Sequence, residues 1–111
     1  MARIIIITHH YDDFLGEDYL LRHFIQRWSQ AGHRVILQNG LGDWPEGDIA
    51  ILHVDLSVVP TAYAEAARKY PIVVNGTALS ICKKVVSRQL VQPGDGWLGP
   101  VIVKTDLNCR G

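Results

Sequence analysis

The strongest constraint on this chain is the run Ile4-Ile5-Ile6-Ile7-Thr8, five β-branched residues in succession near the start of a 111-residue sequence. β-branched side chains favour extended backbone. A strand with one face in water alternates apolar and polar residues, because successive side chains point to opposite faces. An unbroken apolar run instead suits a strand covered on both faces, as in the interior of a parallel sheet. Parallel strands need crossover connections, usually helices. This one segment therefore points to an α/β fold.

The residues that follow alternate as such a fold requires. A polar loop over residues 9–16 leads to a predicted helix over residues 17–31, where Leu20, Leu21, Phe24, Ile25 and Trp28 recur at helical spacing as one apolar stripe. Glu17 and Asp18 fall in its first turn, where the helix dipole favours negative charge, and Gly32 suits a left-handed terminator. Residues 34–37 read as a second strand, which completes a βαβ unit with an expected right-handed crossover. A Gly/Asp/Pro-bearing loop over 40–47 precedes a third buried strand at 49–54. Pro60 fits the first turn of a helix ending near Tyr70, and residues 72–74 form a fourth strand. Asn75-Gly76 is a tight turn, and Thr77 is a fair N-cap for a helix reaching about residue 90. A Gly/Pro-rich loop over 92–99 then leads to a fifth strand at 101–104. The expected architecture is a parallel, Rossmann-like α/β domain over residues 1–76, followed by a second element over residues 77–111 that contributes a helix and a strand.

Composition narrows the function classes. Apolar residues make up 48% and charged residues 20%, the profile of a globular chain. Eleven basic and 11 acidic residues cancel, which argues against nucleic acid as a partner, since that needs a clustered positive field. A local phosphate site needs only one or two lysines and some backbone amides, and stays open. Cys82 and Cys109 form no Cys-x-x-Cys pair and read as reduced thiols. The apolar start is too short for a signal peptide and breaks into His9, His10, Asp12 and Asp13; no stretch approaches the roughly 20 apolar residues that span a bilayer. The expectation is a cytoplasmic protein without a membrane partner.

Ligands of open α/β sheets bind beyond the carboxyl ends of the strands. That rule nominates the His9–Asp13 loop, residues 53–55, the Asn75-Gly76 turn and the segment after Lys104. The last part of the chain reads Pro-Ile-Val-Val-Asn-Gly, then Ile81-Cys-Lys-Lys-Val-Val-Ser-Arg, then Gly99-Pro-Val-Ile-Val-Lys-Thr-Asp-Leu-Asn-Cys-Arg-Gly. It resembles the opening of the ATP-grasp superfamily, in which a helix with a lysine precedes a strand of the type Pro-Val-Ile-Val-Lys and a glycine-rich loop. The resemblance implies that Lys84 (with Lys83 as close competitor) and Lys104 contact ATP phosphates. The loop beginning at Asn108 would add backbone amides. A lysine is a flexible point charge suited to a triphosphate. Thr105 stands where the family usually has proline, Lys83 where many members have aspartate, and Arg110 within what is often a glycine run. The resemblance further implies ATP and magnesium as cofactors, with the magnesium ligands and catalytic residues outside this chain. The complete enzyme would form an acyl phosphate and ligate a carboxylate to an amine or thiol, and this part alone would be inactive. Residues 1–76 would be the preceding domain, which often helps bind the acceptor, a small-molecule substrate.

The first loop carries its own chemistry. His9, His10, Asp12 and Asp13 follow directly on a strand, and with Asp55 they make a candidate acceptor site of His9, His10, Asp12 and Asp55. The same loop resembles the His-Pro-Asp-Asp-Glu motif of zinc-dependent sugar deacetylases, which is also followed by a helix and a Gly-His-x-Val turn, here Gly32-His33-Arg34-Val35. That resemblance implies His10 and Asp13 as zinc ligands and Asp12 as general base; Tyr11 and Phe14 depart from the motif, and His53 is the one candidate third ligand after His33. His53 and Asp55, two apart, can share one side of a strand as a general-base pair, or His53 can be a buried, hydrogen-bonded histidine. Trp28 belongs to the core stripe; Trp44 and Trp97 lie in loops, as covers over the core or as contacts for a partner or substrate. A non-catalytic α/β interaction module remains a further reading. An incomplete sheet can also be satisfied by self-association into a homo-oligomer.

Overall fold

A computed structural model describes residues 1–107. Four strands form one parallel sheet: β1 (Arg3–Thr8), β2 (Arg34–Asn39), β3 (Ile49–Leu52) and β4 (Ile72–Val74), in the order β2-β1-β3-β4. The isoleucine run is β1, hydrogen-bonded on both sides, and Ile4 to Ile7 are all buried. Its alternate side chains feed two cores. Ile5 and Ile7 pack with Trp44, Ala50, Leu52, Tyr63, Ala67 and Tyr70 on one face. Ile4 and Ile6 pack with Phe14, Ile51, Leu21, Ile25 and Trp28 on the other. The α/β, parallel-sheet reading therefore holds.

Helix α1 (Leu20–Gln30) joins β1 to β2 across the second face, and α2 (Thr61–Ala67) joins β3 to β4 across the first. Two crossovers running in opposite directions from the middle of a sheet must put their helices on opposite faces if both are right-handed. The β2–β3 connection has no helix. Its loop places Trp44 over the core instead, with the indole N–H donating to the Gly40 carbonyl at 3.0 Å. Tyr70 Oη donates to the Pro45 carbonyl at 2.6 Å, and Lys69 Nζ donates to the Trp44 carbonyl, so the end of α2 and its following turn hold this plug down. Trp44 is thus a core cover.

Helix α1 starts three residues later than its periodicity predicts. Gly16 N donates to the Asp13 carbonyl and carboxylate, closing a turn that keeps residues 13–17 out of the helix. Glu17 and Asp18 therefore precede the first helical turn, and Asp18 pairs with His23 at 3.6 Å. Leu21, Ile25 and Trp28 face the sheet, whereas Leu20 and Phe24 remain exposed. Gly32, at φ +92°, provides the expected left-handed termination. His33 is structural, its Nδ1 accepting from Ala2 N at 3.0 Å.

The second element differs more. In place of a helix from Thr77 to about residue 90 there is one helical turn, α3 (Lys83–Val86). Residues 79–81 are extended and pair antiparallel with 57–59: Val59 N donates to the Leu79 carbonyl and Ile81 N to the Ser57 carbonyl, each at 2.8 Å. A helix this short needs an apolar face to bury, and Val85 and Val86 are both exposed. Residues 101–104 form no strand. Val101, Ile102 and Val103 are exposed, and no strand among the described residues takes up their backbone groups. Strand propensity without a partner does not make a strand. The molecule measures 57 × 27 × 23 Å along its principal axes. No helix among the described residues is long and apolar enough to cross a membrane.

Candidate functional site

From β1 the chain crosses to β2 on one side, and from β3 it crosses to β4 on the other. The loops leaving β1 and β3 therefore diverge, and a crevice opens between their carboxyl ends, the switch-point geometry where open α/β sheets bind ligands. The His9–Asp13 loop and residues 53–55 meet there.

The first loop is anchored from β2. Asn39 Nδ2 lies 3.0 Å from Thr8 Oγ1, 2.9 Å from the His9 carbonyl and 3.1 Å from the Asp12 carbonyl, so one amide group shares its donors among three acceptors. Asp12 N donates to the His9 carbonyl at 2.9 Å. Residues 53–55 are set by the ladder itself, since His53 N donates to the Ile7 carbonyl at 2.8 Å.

Tyr19, the residue just before α1, joins the two loops. Its hydroxyl lies 3.0 Å from Asp12 Oδ1 and 3.1 Å from Asp55 Oδ2. Its ring stacks on Phe14 at 5.3 Å and meets the His53 ring edge-on at 4.6 Å. Burial, then the hydrogen bonds to Asp12 and Asp55, push the Tyr19 hydroxyl well above the ordinary tyrosine range, so it stays protonated as a donor. His53 is neither a hydrogen-bonded core histidine nor paired with Asp55. Its ring meets both Phe14 and Tyr19 edge-on, and its Nδ1 is enclosed without a hydrogen-bond partner among the described residues, as is Asp12 Oδ2.

The predicted acceptor residues thus divide. Asp12 and Asp55 are brought together through Tyr19. His9 is half-buried at the crevice margin, 5.8 Å from the Tyr63 ring; burial and then the neighbouring His10 hold its pKa below the ordinary imidazole value, with Asp12 opposing. His9 Nδ1 accepts from Tyr11 N at 3.3 Å, which suits the neutral ring. His10 is exposed, its ring tilted against those of His9 at 4.1 Å and Tyr11 at 4.0 Å. Asp13 is spent on its turn with Gly16. Among the described residues no three His, Cys or acidic side chains gather to hold a metal ion.

A cleft of about 350 Å³ continues from Tyr19, His53 and Asp55 towards Leu79 and Ile81, with Asn75 at the end of β4 on its wall. Asn75, at φ +64°, donates from Nδ2 to the Leu52 carbonyl at 3.3 Å. Sequence reasoning did not single out Tyr19 or Asn39. The available signals were an aromatic hydroxyl just ahead of an apolar helical stripe, and Asn39-Gly40 at a strand end.

The two predicted phosphate lysines lie in the second element. Asp106 ties their segments together: its carbonyl accepts from Lys83 N at 2.8 Å, its Oδ1 from Lys84 N at 2.9 Å, and its Oδ2 lies 3.4 Å from Lys84 Nζ. The backbone hydrogen bond from Lys84 is the main reason the Asp106 carboxyl titrates below its ordinary value. Lys83 Nζ donates to the Leu107 carbonyl at 2.9 Å, which leaves Lys84 as the lysine paired with an anion. Lys104 is exposed, two residues before Asp106. Asn108 lies outside the described residues. Trp97 is exposed, its indole N–H donating to the Pro100 carbonyl at 3.2 Å. No family model, curated protein or solved structure matches this chain.

Proposed function

We propose that this chain is the opening of an ATP-grasp ligase. Residues 1–76 are the preceding α/β domain, with an acceptor crevice at Asp12, Tyr19 and Asp55, and residues 77–111 begin the nucleotide-binding part. The observation that carries this reading is the Asp106 clasp, in which one residue holds the Lys84 turn against the segment that bears Lys104. Two lysines distant in sequence can serve one polyphosphate only if their segments are neighbours. The 3.4 Å pairing of Lys84 Nζ with the Asp106 carboxylate supports this reading, because a phosphate oxygen would make the same kind of contact. ATP would supply the driving force for joining a carboxylate to an amine or thiol. Magnesium would be held by residues outside this chain.

Calorimetric titration of MgATP into the chain, Lys84→Ala and Lys104→Ala tests the proposal. Weak binding is expected, reduced about tenfold or more in each variant, because each loses one charge-assisted phosphate contact. Undiminished affinity in both variants would refute the phosphate assignment.

A further inference from the structure

A second cleft, of about 430 Å³, lies on the α2 face of β4, between the helix and the turn that follows the strand. Ala64, Ala67 and Arg68 form its helical wall; three and four residues apart, they share one face of α2. Arg68 is the one charged residue in the lining. No carboxylate lines the cleft, and Arg68 enters no ion pair among the described residues. The facing wall is the Asn75–Ala78 turn. Ala78 N closes it on the Asn75 carbonyl at 3.2 Å, with Asn75 left-handed at φ +64°. The two amides inside the turn, Gly76 N and Thr77 N, donate to no backbone acceptor among the described residues, and both residues line the cleft. Successive N–H groups in a turn make a concavity that receives an anion. This turn also stands at the carboxyl end of a strand, where open sheets bind ligands, and the ATP reading does not use it.

We propose that this cleft binds a small phosphate monoester, its phosphate between Arg68 and the Asn75–Ala78 turn and its short apolar body along Val73 and Leu79. The donors decide the class. A guanidinium presents five N–H groups and no acceptor, and the turn adds two amides and the Thr77 hydroxyl from the opposite wall. A planar carboxylate offers two oxygens in one plane. A phosphate offers oxygens in three directions and a second negative charge, so it can meet the helix and the turn together. The volume lies at the small end of ligand pockets yet exceeds what a bare phosphate fills, and Val73 and Leu79 supply apolar wall for the remainder. None of Lys83, Lys84 and Lys104 lines the cleft, so this site is separate from the one proposed for ATP.

The test is a ¹H–¹⁵N NMR titration of the chain, at constant ionic strength, with butyl phosphate, butyrate and butylammonium. Butyl phosphate should give saturable shifts at the Arg68, Gly76 and Thr77 amides, butyrate should bind several-fold more weakly, and butylammonium should leave these amides unmoved. Arg68 is exposed, so Arg68→Gln leaves the core intact; it should weaken butyl phosphate about tenfold or more. Arg68→Lys keeps the charge without the planar fork and should recover part of that loss. Lys84→Ala and Lys104→Ala should bind butyl phosphate as the unaltered chain does while losing MgATP affinity, so the two phosphate assignments stand or fall separately. No saturable shift with butyl phosphate, or undiminished affinity in Arg68→Gln, would overturn the site. Butyrate binding as tightly as butyl phosphate would overturn the phosphate class, and loss of butyl phosphate binding in Lys84→Ala or Lys104→Ala would overturn its separation from the nucleotide site.

Discussion

Replacing Tyr19 by phenylalanine removes one oxygen and leaves the ring, so it isolates the bridge between the two loops. The stack on Phe14 and the edge contact with His53 should survive, because both involve the ring alone. What is lost is the hydroxyl at 3.0 Å from Asp12 and 3.1 Å from Asp55. A hydrogen bond to an ionised acceptor contributes about 1.5–3 kcal/mol when its loss leaves that acceptor unsatisfied. Asp12 is half-buried and its other carboxylate oxygen already lacks a partner, so it should approach that range. Asp55 is exposed, water can replace the hydroxyl there, and its share should be at most about 0.5 kcal/mol. The expected loss is therefore about 2 kcal/mol, or roughly 10 °C in Tm for a domain of this size. Urea denaturation followed by tryptophan fluorescence and far-UV circular dichroism measures it. A double-mutant cycle with Asp12→Asn should give a coupling of about 1 kcal/mol or more. A loss below about 0.5 kcal/mol, or additivity within that margin, would show that the hydroxyl does not hold the two loops together. The same substitution sets a pH signature. Because the folded hydroxyl resists ionisation, wild-type stability should be intact below the ordinary tyrosine pKa and fall as pH rises above it; Tyr19→Phe should lose that alkaline decline.

Three further outcomes follow from the same geometry. Trp44→Ala empties the plug beneath the β2–β3 loop and should cost about 3–5 kcal/mol, seen as a large fall in the urea midpoint. Gly40→Ala should cost about 1–2 kcal/mol by thermal denaturation, because Gly40 sits at φ +76° and an added Cβ would lie 3.0 Å from His10 Cβ. The fold holds the His9 pKa below the ordinary imidazole value, so the unfolded chain takes up its proton first as pH falls. Its contribution to stability should be constant above about pH 6.5 and decline as pH drops from there towards the lowered folded value, and His9→Gln should flatten the difference between urea midpoints at pH 7.5 and 5.5.

Much of this architecture was legible without coordinates. Ile4 to Ile7 announced an interior parallel strand because no residue in the run can face water. Leu21, Ile25 and Trp28 announced a helix lying on that sheet, and the Asn75 turn marked the end of β4. Asp12 and Asp55 could be nominated as site residues because strand ends are where an open sheet exposes its loops. The strand, helix and turn readings succeed because they depend on periodicity and local backbone chemistry, which one segment carries by itself.

The tertiary structure decided the rest, wherever the outcome depended on a partner. Residues 101–104 have the composition of a strand but no strand neighbour among the described residues to accept their hydrogen bonds. Residues 79–81 looked helical in isolation and became extended because residues 57–59 offered them a ladder. Leu20 and Phe24 share a periodic stripe with Ile25, yet only the direction in which α1 approaches the sheet determines which of them is covered. Tyr19 is a loop residue like its neighbours until folding brings Asp55, 36 positions away, to its hydroxyl. The sequence by itself determined which segments want to be strands and helices and where the chain would turn. The packing of those segments determined which hydrogen bonds and apolar faces found partners, because a hydrogen bond or a buried surface belongs to two segments and is specified by neither alone.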